Sequence, residues 1–485
     1  MDRVSWNRRC ASRIAPNAMF ATTESAPEGM RRPVDAHPVN SVDRRATTPV
    51  HATTRTVTAP PCGARLSSFT AGRYRRGAHP ARRTSPGRRT FLGTTSYHGF
   101  VSPLVLPPCG IRRFVALVAC AASLGGCDDA TSGEPDFPKG LAGFLTTETV
   151  ASGFDTIWEL AWGPDGFVWV TERGGTISRV DPLSGAVTSV GDVPGSVELG
   201  EGGLMGLAFH PDFANEPWVY VSHTYGAPGT RNRIIRMRYE NGVLGPPEVL
   251  VANIPGSSIH NGSRLAVGPD GFVYATTGDA ADPALAQNTG SLAGKVLRFT
   301  LDGQPAPANP FGNLVFSLGH RNPQGIAFSP DGLLYITEHG ASDNDEVNLV
   351  QGGGNYGWPN VRGRCDGDAG GGEEAFCEAN GVIEPLSIWT PTIAPAGLAL
   401  YDHSLIPQLR GLLFATLKDA TLYHLPLSPD GRTVAAVQRL YVREFGRLRA
   451  VLIGPDGTIY LGTSNRDGRG SPLPTDDRII RIRPR

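Results

Sequence analysis

One short phrase recurs six times along the chain and constrains its fold more than any other feature. An apolar or aromatic residue leads into Pro-Asp-Gly or a close variant, and a run rich in β-forming residues follows. Proline fixes φ and glycine tolerates positive φ, so the phrase predicts a tight turn, and the alternating apolar residues after it predict a half-buried strand. The copies are centred on Asp165, Asp212, Asp270, Asp331, Ala396 and Asp456.

A unit repeated at this spacing cannot bury its apolar face alone and has to stack on its neighbours. Helical periodicity is almost absent, so the repeats predict an all-β chain, a six-bladed β-propeller of four-stranded antiparallel blades. The fifth copy, Ile393–Tyr401, is degenerate, because Ala396 replaces the aspartate. We nevertheless expect it to mark the fifth blade.

The formal net charge of zero is the sum of two unlike segments. Residues 1–110 contain 17 arginines, no lysine and 5 acidic residues, and therefore carry +12, which leaves −12 on the remainder. This segment shows no apolar period and cannot bury enough surface to offset its chain entropy. It is either a disordered basic arm of the kind that binds nucleic acid or an extension upstream of the true start codon. We favour the second interpretation, and expect no nucleic-acid partner.

Residues 111–127 have the pattern of a bacterial export signal. Two arginines precede the apolar run Phe114–Leu124, which is too short to span a bilayer, and Leu-Gly-Gly-Cys follows, ending at Cys127. That ending resembles a lipobox, whose cysteine is acylated. We therefore expect an exported protein, periplasmic or anchored to a membrane through lipidated Cys127 only, with a flexible tether over 128–143 and the propeller over 144–485.

Two cysteines remain beyond the signal, Cys365 and Cys377, in a loop rich in glycine and glutamate. Outside the cytoplasm such a pair favours a disulfide, with two free thiols as the alternative. Their spacing fits no zinc-binding pattern.

Two polar segments precede repeat strands and carry groups suited to chemistry. His260 lies before the third repeat; an imidazole titrates near neutral pH and can remove a hydroxyl proton, although His-Asn-Gly is also common in surface turns. Arg321 and Asn322 precede the fourth repeat and offer many donors to an anionic or carbonyl-rich ligand. The alternative for this pair is a loop packed by arginine.

An acidic segment and a set of cations complete the candidate residues. Residues 338–348 hold four carboxylates and are followed by a glycine-rich stretch, which suits calcium or, alternatively, a solvated acidic loop. Lys418, Arg447 and Arg449 lie in the fifth and sixth units. If they face one channel, they would bind a polycarboxylate.

Five strings follow one another along residues 150–485: Gly202–Phe213, Gly319–Gly325, Gly353–Pro359, Pro391–Pro395 and Thr463–Gly470. Together they closely resemble the soluble PQQ-dependent glucose dehydrogenases and their relatives, the aldose sugar dehydrogenases. The last string is more similar to the aldose branch.

The resemblance implies an enzyme that oxidises the C1 hydroxyl of an aldose to a lactone by hydride transfer to PQQ, with calcium as a second cofactor. His260 matches the general base, and Arg321 matches the arginine that stabilises negative charge on the quinone oxygen. The implied cofactor contacts are Glu201, Asn322, Thr392, Lys418, Arg447 and Arg449. The carbonyls of Gly340 and Ala341 match ligands of the calcium beside the quinone, and Glu346 and Tyr356 match a second calcium site.

The chain departs from the family pattern at four places. Glu201 replaces a glutamine near the sugar and quinone, so we expect a raised pKa there or a changed substrate. Ile259 replaces an aspartate that helps orient the base in the glucose enzymes, and Ala341 replaces a proline. In the last loop the family aspartate falls near Ser464, three residues before Asp467.

Two other function classes use six-bladed propellers. A calcium-dependent lactonase needs carboxylates around one metal and no quinone pocket, and a non-catalytic binding module has no need of His260. The arginine and lysine set argues against the first, and the presence of His260 favours an enzyme. No haem-attachment motif or other signal identifies the electron acceptor.

Overall fold

The structure is a computed structural model that describes residues 141, 143–226, 229–367 and 369–485. The expectations for residues 1–110 and 111–127, with Cys127, lie outside the described residues, as does nearly all of the expected tether. No helix in the described part of the chain is long and apolar enough to cross a membrane.

The described chain forms six four-stranded antiparallel sheets, which confirms the predicted six-bladed β-propeller. The strands of the first blade are β2 (Ile157–Trp162), β3 (Val168–Glu172), β4 (Thr176–Val180) and β5 (Val187–Asp192). Those of the second are β6 (Leu204–Phe209), β7 (Trp218–Tyr225), β8 (Arg231–Glu240) and β9 (Val243–Pro255). Those of the third are β10 (Gly262–Val267), β11 (Val273–Thr277), β12 (Lys295–Phe299) and β13 (Val315–Leu318).

The fourth blade comprises β14 (Pro323–Phe328), β15 (Leu334–Glu338), β16 (Asp345–Val350) and β17 (Ser387–Trp389). The fifth comprises β18 (Pro395–Tyr401), β19 (Gly411–Thr416), β20 (Leu422–Leu425) and β21 (Gln438–Leu440). The sixth comprises β22 (Leu448–Ile453), β23 (Ile459–Thr463), β24 (Arg478–Pro484) and β1 (Leu145–Ser152). The helical segments are α1 (Glu373–Asn380) and the 3-10 turns Pro283–Gln287 and Pro407–Leu409.

The propeller closes because strands from both ends of the described chain share the sixth blade. β1 pairs antiparallel with β24, in a register that places Leu145 opposite Pro484.

Five of the six Pro-Asp-Gly-like copies form the turn between the first and second strands of a blade. In the first, the Asp165 carboxylate accepts hydrogen bonds from the Phe167 amide (3.3 Å) and the Trp169 indole (3.0 Å), and Gly166 has a φ of +84°. Glycine adopts this left-handed conformation at no steric cost, which explains its place in the phrase.

The fifth copy is the exception, and its assignment as a turn is wrong. Residues 395–401 form β18 itself, and Ala396 is fully buried in that strand. The turn of this blade spans residues 402–410 instead, with a 3-10 turn at Pro407–Leu409. Ala396 has no carboxylate to accept amides in a tight turn, and its segment is apolar enough to pair with β19.

Threonine hydroxyls on second strands tie neighbouring blades together at the centre. Thr171 donates to Met205 O at 2.6 Å, Thr276 to Pro323 O at 3.1 Å, and Thr337 to Ala396 O at 2.6 Å. Each bond runs from one blade to the innermost strand of the next.

The antiparallel order decides which segments share a face of the propeller. The start of each first strand and the end of each second strand lie on one face, called here the upper face, and the Pro-Asp-Gly turns lie on the opposite face. Cys365 and Cys377 are joined by a disulfide in the long connection between β16 and β17, as the export interpretation favoured.

Candidate functional site

The predicted site residues all lie on upper-face segments, and contacts between neighbouring segments bring them together. The His260 amide donates to Glu201 Oε2 at 3.1 Å, and the Asp279 amide donates to Arg321 O at 2.7 Å. His339 Nε2 lies 2.8 Å from Pro395 O, which links the fourth blade to the fifth.

The contacts continue around the remaining blades until they close. The Lys418 amide donates to Ile393 O at 3.1 Å, Arg447 Nη1 donates to Leu417 O at 3.0 Å, and Arg469 Nη1 donates to Glu201 Oε1 at 2.8 Å. We call this set the polar ring; its charged and titratable members are Glu201, His260, Asp279, Arg321, His339, Lys418, Arg447, Asp467 and Arg469.

His260 has the geometry of an oriented base. Its Nδ1 lies 2.8 Å from Asp279 Oδ1, and Asp279 is fully buried, with its second oxygen accepting from the Trp358 indole at 2.9 Å. A carboxylate at Nδ1 favours the tautomer with the proton on Nδ1. Nε2 then remains a proton acceptor without a partner among the described residues, on a side chain that is 14% exposed.

Asp279 is a candidate site residue that sequence reasoning missed. It follows β11, whose Thr277 pairs with Gly262 of β10, so the pairing of these strands brings it beside His260. The signal was present in the sequence: an aspartate two residues after the strand that follows the third repeat's turn. The family resemblance instead placed the orienting aspartate at position 259, immediately before the histidine, where this chain has isoleucine.

Arg321 lies next to Asp279, because its backbone carbonyl accepts the hydrogen bond from the Asp279 amide. Its Nη1 donates to His339 O at 3.2 Å, its guanidinium lies 5.3 Å from the Trp358 ring centre, and its Nε is buried without a partner. Burial lowers the pKa of Arg321, and the surrounding carboxylates, Asp279 first, oppose the shift. A buried donor that has no acceptor in the protein is expected where a bound ligand supplies the acceptor.

Asn322 is buried and its amide oxygen is already engaged. It accepts from the Gly262 amide and from Gln324 Nε2, both at 3.1 Å. The Asn322 side chain therefore joins the third and fourth blades beneath the ring.

Two of the three predicted cations share a counter-ion. Arg447 Nη2 lies 2.7 Å and Arg449 Nη2 3.6 Å from Asp467 Oδ2. Burial alone would raise the pKa of Asp467, but these guanidiniums outweigh it and lower the pKa, while burial lowers the pKa of Arg449 to about 10. Lys418 is exposed and donates to Thr392 Oγ1 at 2.5 Å. The three cations do share the upper face, with one carboxylate among them.

The expected rise in the pKa of Glu201 is wrong. Burial would raise it, but nearby His339, the His260 amide and Arg469 together lower the pKa below its ordinary value.

The segments predicted to bind calcium line a small cavity beneath the polar ring. The carbonyl oxygens of Gly340 and Ala341 accept no hydrogen bond from the described residues, and Asp343 Oδ1 is buried without a partner. Burial, and then the charge of Glu338, raise the pKa of Glu346 well above its ordinary value.

The Tyr356 hydroxyl is not free for a metal, because it donates to Leu349 O at 2.7 Å and accepts from the Gln351 amide at 2.9 Å. Only the Tyr356 backbone carbonyl is left to bind a metal. No three His, Cys, Asp or Glu side chains in the described ranges are grouped to hold a metal ion. A cation here has to be held largely by backbone oxygens, which calcium accepts.

Comparison with known proteins agrees with this architecture. The sequence profile of the Glucose / Sorbosone dehydrogenase family matches residues 154–479. Quinoprotein glucose dehydrogenase B of Acinetobacter calcoaceticus is 32% identical over 410 residues, which cover 67% of this chain and 86% of that protein. Aldose sugar dehydrogenase YliI of Escherichia coli is 30% identical over 340 residues, covering 67% and 91% respectively.

Among solved structures, the PQQ-bound aldose sugar dehydrogenase of Streptomyces coelicolor is 38% identical and superposes with a TM-score of 0.63, covering 70% of this chain and 98% of that one. The chain belongs to the glucose/sorbosone dehydrogenase family.

Proposed function

We propose that the chain is an exported quinoprotein dehydrogenase that oxidises the C1 hydroxyl of aldose sugars to lactones. The observation that carries the proposal is the His260–Asp279 pair, whose open Nε2 lies in a polar ring that also contains Arg321. Family membership and the quinoprotein and PQQ-bound relatives support the reaction class.

His260 is the proposed general base. Its Nε2 would take the proton of the C1 hydroxyl, and Asp279 would stabilise the imidazolium that forms. Because Asp279 is itself held by the Trp358 indole and the Ala281 amide, the imidazole needs little reorganisation during the reaction.

The residues of the ring fit PQQ, a flat polycarboxylate. When bound, PQQ supplies the two-electron acceptor for the hydride from C1. The unpartnered Nε of Arg321 offers a donor to a quinone oxygen, and Lys418, Arg447 and Arg449 offer charge to carboxylates. Asp467 offsets one of the two arginine charges, so the arginine pair and Lys418 would each contribute one uncompensated positive charge. Glu201, Asn322 and Thr392 would complete the contacts.

The cavity beneath the ring fits calcium. The free carbonyls of Gly340 and Ala341 would hold one ion beside the quinone, and Glu346 with the Tyr356 carbonyl would hold a second. A divalent ion would relieve the repulsion between Glu338 and Glu346, which burial otherwise makes costly.

The proposal extends to location and partners. The signal-like segment and Cys127 favour export and attachment to a membrane through a lipid alone. The substrate would be an aldose, and an electron acceptor that no motif identifies would reoxidise the cofactor.

Reconstitution tests the proposal. Purified protein would be mixed with calcium and PQQ, then assayed with an aldose and an artificial electron-accepting dye. We expect dye reduction that is lost in His260→Ala and retained in His210→Ala, since His210 lies in an opposite-face turn.

Two other outcomes would support the alternative functions. Lactone hydrolysis with calcium alone would indicate a lactonase. Neither activity would indicate a binding module, and either outcome overturns the proposal.

A further inference from the structure

A lysine lies buried beside the site without a counter-ion. Lys295, the first residue of β12, is 0% exposed, and its Nζ donates to Leu285 O (2.8 Å), Ala286 O (2.9 Å) and Ala293 O (2.6 Å). Burial is the sole cause of its shifted pKa, so no carboxylate of the described residues offsets the charge. The ammonium group therefore occupies a cradle of three carbonyls, as a bound metal ion would.

Such an arrangement is costly unless every donor is used. Burying an ammonium group without hydrogen-bond partners is strongly unfavourable, and here all three N–H groups are satisfied. Burial lowers the pKa of Lys295 to about 7. The three carbonyl acceptors match the three N–H donors of the charged form.

The cradle belongs to the loop that begins with Asp279. Residues 279–294 form a closed loop, because the Gly294 amide donates to Gly278 O at 2.8 Å. Ala286 O, one of the cradle carbonyls, also accepts from the Gly319 amide at 3.0 Å. Lys295 thus bonds two parts of the loop, residues 285–286 and residue 293. Through Ala286 O, the first of these parts also contacts Gly319, in the segment that leads to Arg321.

The same loop supports the second partner of Asp279. Gln287, which ends the 3-10 turn, donates to Trp358 O at 2.8 Å, and the Trp358 indole donates to Asp279 Oδ2 at 2.9 Å. Both the backbone that carries Asp279 and the indole that holds its carboxylate therefore depend on one clamped loop.

We propose that Lys295 is a positioning residue: its ammonium group acts as an internal cation that fixes residues 279–294, and thereby Asp279 and the His260 imidazole. The consequence for catalysis rests on the proposed function, whereas the clamping of the loop does not.

Hydrogen exchange measured by mass spectrometry, together with kcat and KM, tests the inference. In Lys295→Met we expect faster exchange across residues 279–294 and a kcat about tenfold to 100-fold lower, with KM little changed, because misplacing a catalytic group by about 1 Å has effects of that size. In Lys295→Ala, added ammonium chloride should restore slow exchange and part of kcat, since an ammonium ion can enter the cradle. Tetramethylammonium chloride at equal ionic strength should not, because its cation has no N–H group and is too large for the cradle.

Val296→Ala is the matched control. Val296 is the next residue of β12, is equally buried, and packs in the apolar core away from the carbonyls. We expect this variant to lose stability while exchange in residues 279–294 and kcat stay unchanged. If Val296→Ala accelerates loop exchange as much as Lys295→Met, the effect is general destabilisation and the inference is overturned.

A second variant keeps the test decisive if the lysine variants do not fold. Gln287→Leu leaves Lys295 intact and removes the bonds of the Gln287 side chain to Trp358 O and to the Asn355 side chain, so exchange around residues 357–359 should rise and kcat should fall. Unchanged exchange and kcat would overturn the inference. If the unaltered protein shows no dehydrogenase activity, the proposed function fails, while the exchange results still decide whether Lys295 holds the loop.

Discussion

At the residue scale, the pairing of His260 with a fully buried carboxylate decides the proposed chemistry. Asp279→Asn keeps the shape of the side chain but removes the charge that favours a proton on Nδ1. We expect kcat to fall about 10²- to 10⁴-fold with a smaller change in KM, because general-base catalysis contributes about that much. Asp282→Asn, on the same loop but exposed, should behave like the unaltered protein in steady-state kinetics. Equal losses in the two variants would rule out a specific role for Asp279.

A second residue-scale prediction concerns the ion pair inside the central channel. Arg264 Nη1 contacts Glu159, both side chains are buried, and the guanidinium lies 4.3 Å from the Trp158 ring centre. Glu159→Gln leaves that guanidinium without its counter-ion, so the free energy of unfolding in urea should fall by about 3–5 kcal/mol.

The exposed pair of Arg238 and Glu240 is the control for this prediction. Because both side chains reach solvent, Glu240→Gln should leave the free energy of unfolding almost unchanged. Similar losses in the two variants would show that burial does not govern the strength of the inner pair.

At the scale of elements, the regular turns were predictable from sequence and the irregular ones were not. Where an aspartate accepts the amides of the turn, as Asp165 does, the phrase located the strands on both sides. In the fifth blade the carboxylate is missing, and strand pairing with β19 decided the structure of Ile393–Tyr401 instead. Local turn chemistry is encoded in four or five residues, whereas such pairing depends on residues far along the chain.

The long connection between β16 and β17 gives the element-scale prediction. It supplies Trp358 and Arg362 to the cavity proposed for calcium, and its disulfide closes a loop with a sequence separation of 12. A disulfide that closes a loop of this length restricts the unfolded chain, and thereby stabilises the folded protein by about 3 kcal/mol. We expect Cys365→Ala/Cys377→Ala to lower the melting temperature and to weaken calcium binding, measured by calorimetry. Unchanged calcium affinity would mean that the connection keeps its shape without the bridge.

At the scale of the whole molecule, the blade order explains why most of the candidate site could be anticipated. First-strand starts converge on the upper face, so residues placed before repeat strands, such as His260 and Arg321, had to be neighbours. Asp279 and the shared counter-ion Asp467 were missed as partners because a position after a second strand does not by itself show which side chain of the neighbouring first strand it faces. Their position beside the site follows only once the antiparallel pairing within each blade is known.

Closure of the ring by β1 is the last prediction, and it belongs to the molecule as a whole. β1 is the outermost strand of the sixth blade and covers β24, and it buries Leu145 and Ala151. Removing it would expose the edge of β24, and an exposed edge strand promotes aggregation. A chain that starts at residue 141 should unfold cooperatively and remain monomeric in light scattering, whereas one that starts at residue 153 should melt at a lower temperature and associate. The sixth blade also carries Arg447 and Arg449, so the shorter chain should bind PQQ more weakly even where it stays folded. Equal melting temperatures and equal PQQ affinities of the two chains would show that the propeller is stable without β1.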